Sequence, residues 1–140
     1  MNLADYPKPI LDAYSAFEAL RRIGFSSDNI FFMIAKDGHD RAKRWAVFVV
    51  LKQRSKEFSV TIGGHSKTMK PMKKYFKLWQ TFARTMNELP GDVNGRVYGD
   101  DMPVELREHY FGWLNENGGA MGLTAALIAK GIALPKREAN

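Results

Sequence analysis

The stretch IFFMIAKDGHDRAKRWAVFVVLKQRSKEFSVTI, residues 30–62, decides the fold. It holds three β-favouring runs joined by two short polar connections. Ile30 to Ala35 (IFFMIA) reads as a strand buried on both faces, and Trp45 to Leu51 (WAVFVVL), dense in β-branched and aromatic residues, as a central strand. Phe58, Val60 and Ile62 alternate with Ser59 and Thr61, the period-two pattern of a strand with one buried face. Three strands with short connections are expected to form an antiparallel meander.

Helical patterns flank the meander. Upstream, Pro9 opens a helix whose apolar stripe is Ile10, Ala13, Tyr14, Phe17 and Leu20, and Gly24 is its natural stop. Downstream, Thr68 is placed as an N-cap and Pro71 in a first turn, and Met72, Tyr75, Phe76, Trp79, Phe82, Ala83 and Met86 share one face. Those aromatics are expected to be core. The segment LPGDVNGRVYGDD reads as a loop with an Asn94-Gly95 turn and a short strand at Arg96 to Tyr98. Asp101 then caps a third helix with Pro103 in its first turn and Leu106, Tyr110, Trp113 and Leu114 on one face, ending at Gly118-Gly119. The Ala-rich run from Ala120 is a fourth, short helix.

The expected fold class is therefore α+β, a three-stranded antiparallel meander in an α-β-β-β-α arrangement followed by a C-terminal pair of helices. With 140 residues, 45% hydrophobic and 12% aromatic, the chain is expected to form a single domain over 1–140, with 9–88 as the core and 101–134 as a helical extension.

Several chemistries are excluded by composition. There is no cysteine, hence no disulfide, thiolate nucleophile or thiolate metal site. GxSxG and HExxH are absent. Asp37, His39 and Asp40 share one turn, but no second cluster lies at ligand spacing and His65 and His109 stand alone, so neither a metal nor a cofactor is expected. No secretory leader is visible, and Ala120 to Leu134, interrupted by Thr124 and Lys130, is too short to span a bilayer. A soluble cytoplasmic protein without membrane contact is expected.

What remains is charge. The net charge is +6, yet between Lys36 and Arg84 thirteen basic residues face three acids, so the two flanks together are acidic. On a helical wheel Lys70, Lys73, Lys74, Lys77 and Arg84 centre opposite the apolar arc of the second helix. Lys67 precedes them, and Arg41, Lys43 and Arg44 in the first connection, with Arg54 and Lys56 in the second, are expected to extend the same surface. These cations point to non-catalytic binding of a polyanion, nucleic-acid backbone above all, with binding that weakens steeply as salt rises. The alternative is an interaction module, an inhibitor or adaptor gripping an acidic protein surface.

The order α-β-β-β-α, with GGHSKTMKPMKK opening the second helix and DGHDRAKR joining the first two strands, resembles the double-stranded-RNA-binding domain over residues 9–86. The resemblance implies backbone contacts from Lys67, Lys70, Lys73, Lys74 and His39. No proline stands beside His39, and Phe76, Trp79 and Phe82 occupy positions where that family carries small residues. A third reading takes Gly63-Gly64 as a phosphate cradle at a helix start, which resembles acyl-coenzyme-A-binding acetyltransferases; the spacing is not that of a P-loop, and the glycines read more simply as the turn between strand and helix. Finally, Ala120, Gly122, Ala125, Ala126 and Ala129 would admit a second helix closely, so residues 120–134 either close the core or form a homo-oligomer interface.

Overall fold

The structure, a computed structural model, describes residues 5–87 and 104–135, leaving aside the side chains of 84–87. Its elements are α1 (Lys8–Ile23), a 3₁₀ turn (Ser27–Asn29), β1 (Ile30–Lys36), β2 (Trp45–Gln53), β3 (Lys56–Ser66), α2 (Lys70–Asn87), α3 (Val104–Glu116) and α4 (Gly119–Ala129). The strands pair antiparallel in the order β1-β2-β3. This is the expected α+β meander. The Asn94-Gly95 turn, the strand at 96–98, the Asp101 cap and Pro103 fall outside the described residues.

Local chemistry sets the boundaries of α1. Pro7 occupies its N-cap and Pro9 its first turn, where a missing N–H costs nothing. Gly24 takes the left-handed conformation at φ 116°, its N–H donating to the Arg21 carbonyl and that of Phe25 to the Leu20 carbonyl. That pair of bonds, with Phe25 and Leu20 both buried, is a Schellman stop.

Alternation along the strands divides the sheet into two faces. Ile30 pairs with Leu51, Phe32 with Val49 and Ile34 with Val47, and Val49 and Leu51 pair onward with Val60 and Phe58. This set joins the hydrophobic core with α1 and α2, whereas the buried Ala46, Phe48 and Val50 on the opposite face do not. Among the described residues the core shared with the helices thus lies on one face of the sheet. β2, central and buried from Ala46 to Leu51, behaves as its composition predicts. β1 does not: only Ile30 is buried and Phe31 stands 44% exposed, because it is an edge strand with a neighbour on one side alone.

β3 departs further from expectation. It runs to Ser66, so Gly63 and Gly64 lie inside the strand and not in the turn before α2. The pairing slips between Phe48/Thr61 and Val47/Gly63, and again before Trp45/Ser66, which places bulges at the glycines. Gly63 and Gly64 have φ of 134° and 69°, and a Cβ on Gly64 would come within 2.9 Å of Pro9 and 3.2 Å of Tyr75. The glycines let the strand bend and let α1 and α2 close onto its backbone.

Phe82 anchors α2. It is fully buried and meets Tyr6 and Tyr14 edge-on, with centroids 4.9 and 5.1 Å away. Leu106, Tyr110 and Trp113 bury α3 against α1. α4 buries Leu123 and Leu127, leaving Met121 86% and Ile128 60% exposed. Past α4, the Gln53 side chain brackets Ala133, its amide donating to the carbonyl at 2.7 Å and its oxygen accepting the N–H at 2.8 Å, while Lys56 donates to the Gly131 carbonyl at 2.9 Å. Ile132 between them is buried.

Candidate polyanion-binding surface

Strand register decides which cations come together. Lys36 lies abreast of Trp45, and Trp45 abreast of Ser66, so the β1–β2 turn and the exit of β3 share one end of the sheet. Lys67 and Lys70 follow directly on that exit. Arg41, Lys43 and Arg44 therefore stand at the same end as the start of α2. Arg54 and Lys56 do not join them: they occupy the β2–β3 turn at the other end of β2, about 26 Å off at about 3.3 Å per residue. Lys56 is committed there to the Gly131 carbonyl.

The β1–β2 turn is built by its two aspartates. The buried Asp37 accepts the His39 N–H at 3.0 Å and lies 2.8 Å from His65 Nε2 on β3. The His65 contact, then the His39 bond, holds its carboxyl below the usual carboxylate range. Asp40 accepts the Arg44 backbone N–H at 3.0 Å and its guanidinium at 3.0 and 2.9 Å. That forked pair pulls the Asp40 carboxyl far down. Arg44 is thus engaged inside the turn, and the Lys43 ammonium donates to the Gly38 carbonyl. Arg41 is exposed and pairs with no acid among the described residues.

On α2, Lys70, Lys73, Lys74 and Lys77 are all exposed, as is Lys67 ahead of it, and none forms an ion pair among the described residues. Arg84 lies on the same helix, its side chain outside the description. Seven residues of helical rise carry the row from Lys70 to Lys77 over about 10 Å. The row is flanked on one side by a cleft of about 650 Å³ lined by Asp5, Pro7, Lys70, Lys74, Tyr75 and Leu78. On its other flank stands Phe76, which is 46% exposed rather than core. At about 100° per residue it falls at the margin of the apolar arc, about 60° from Lys73. Tyr75 and Trp79, nearer the centre of that arc, are half-buried.

Two histidines read as isolated in the sequence are paired in space. His65 meets Asp37 across 28 positions. His109 on α3 contacts the buried Asp12 on α1, which Lys8 also holds at 2.6 Å. Burial works against the Asp12 carboxylate, but the bonds and charges of His109 and Lys8 outweigh it and keep its pKa low. Glu105, Glu108 and Glu116 surround this pair in a cleft of about 330 Å³, an acidic counterpart to the lysine row. No group of three or more metal-ligating side chains occurs among the described residues. Nothing in the primary structure could have linked these partners, since each pair joins separate elements.

Among the described residues no helix is long and apolar enough to cross a membrane. Compared with known proteins, the chain matches no protein-family model, no curated protein and no solved structure.

Proposed function

We propose that the protein binds a polyanion without catalysis, through the backbone phosphates of a nucleic acid, using Arg41, Lys67, Lys70, Lys73, Lys74 and Lys77. One observation carries the reading: these six cations are exposed and unpaired among the described residues, and strand register brings the turn cation to the start of the lysine helix. Lys43 and Arg44 belong to the same end and shape the turn that presents Arg41, and Arg84 continues the row along α2. The phosphate-cradle reading loses its support, because Gly64 lies within β3 against Pro9 and Tyr75. The absence of cysteine fits a cytoplasmic setting.

The test is a salt titration with the variant carrying Lys70, Lys73, Lys74 and Lys77 all as alanine. Removing four phosphate contacts should flatten the plot of log affinity against log salt by about three units. An unchanged slope would leave the helix face as solvated surface. A second reading, binding to protein, is favoured by Met121 and Ile128, which stand exposed on α4 within the 120–134 segment. Failure of both DNA and RNA to bind at low salt would make an acidic protein partner, or a second copy joined through α4, the better reading.

A further inference from the structure

Among the described residues Phe76 is the one exposed aromatic on the lysine helix, and its setting differs from that of a stray surface residue. Phe32 of β1 stands 6.2 Å from it, and Phe32 in turn stacks on Trp79 at 4.9 Å with an interplanar angle of 12°. Trp79 continues to Phe17 at 6.5 Å. Phe76 is thus the outer member of a packed row of rings, backed by the sheet and α1. Lys73 lies one turn before it and Lys77 next to it, both exposed. A half-bare ring beside two cations about 6 Å apart along the helix offers an apolar face for one base, with charges next to it for the neighbouring phosphates.

We propose that Phe76 is a base-stacking platform and that the polymer bound along α2 is single-stranded nucleic acid. The proposal rests on the polyanion reading above and narrows its substrate. In a duplex the base faces are covered by their neighbours, so a ring on a convex helix can reach them only in an unpaired strand. Lysines alone do not make that distinction, since phosphates are common to both forms. The charge of the row fits the polymer and the exposed ring selects its form.

The experiment measures affinity at low salt for a mixed-sequence single strand, as DNA and as RNA, and for a duplex of equal length, with the full chain and with the variants Phe76→Ala and Phe76→Leu. The expected result is tighter binding of the single strand and a loss of about tenfold for it in Phe76→Ala, with the salt slope and the duplex affinity unchanged. Phe76→Leu, which keeps apolar bulk without a π face, should lose nearly as much. Because the ring is already 46% exposed, neither variant removes a core residue. Equal affinity for duplex and single strand, or full single-strand affinity in Phe76→Ala or Phe76→Leu, would overturn the platform while leaving the polyanion reading in place. Binding of neither polymer by the unaltered chain would overturn both.

Discussion

At the scale of single residues, Gly64 is the position where the backbone has least freedom to change. Its φ of 69° and the closeness of Pro9, 2.9 Å from where a Cβ would stand, act together. Gly64→Ala should therefore cost about 2 kcal/mol in denaturant unfolding. Gly38→Ala, with open space around it and no positive φ, should be nearly neutral. From the sequence, a glycine pair between a strand pattern and a helix pattern looks like a turn, because a bulge leaves no mark on local alternation until its partner strand is known. Glu18 makes a second residue-scale prediction. Burial pushes its carboxyl up to about 8, against the opposing influence of Arg21, Tyr14 and Arg22. Below pH 4.5 it is protonated in folded and unfolded chains alike. As pH rises, the unfolded chain releases this proton first, so the stability present at acid pH is lost up to about 8. Glu18→Gln should flatten that decline, whose steepest slope is about 1.4 kcal/mol per pH unit, in unfolding curves taken across this range.

At the scale of elements, Phe82 and Met72 are the fully buried anchors of α2. Phe82→Ala would remove the side chain that Tyr6 and Tyr14 enclose, at about 4 kcal/mol, and should lower Tm; under the proposed function it should weaken nucleic-acid binding at elevated temperature while leaving it intact in the cold. Element positions are largely readable in the sequence. β2 is apolar from Trp45 to Leu51 and is buried at each position from Ala46 to Leu51, and α1 stops at Gly24 because only glycine tolerates that φ at no cost. β1 has the same apolar density but half the cover, since sheet order, which periodicity does not encode, puts it at an edge. Periodicity places Phe76 in the core through the same blindness: its place on the wheel is marginal, and in the fold it stands 46% exposed beside Phe32 of the edge strand β1.

At the scale of the molecule, charge and pH act on different parts. The lysine row is legible as a stripe, while its junction with Arg41 depends on the strand register that carries the turn to the exit of β3. Acid should unfold the protein through other groups: Asp12 and Asp37, both held below their ordinary value near 3.8, lose their contribution as pH falls below it. Asp37→Asn should remove part of this acid sensitivity and loosen the β1–β2 turn, which hydrogen exchange at His39 would report. The bracket of Gln53 around Ala133 joins residues 80 positions apart. In kinetic terms, so distant a closure should form late, after the meander and its two helices have assembled. Residues 131–133 should then open as a separate unit in native-state hydrogen exchange, at a free energy below that of the sheet, and Gln53→Ala should speed that opening without touching exchange in β2.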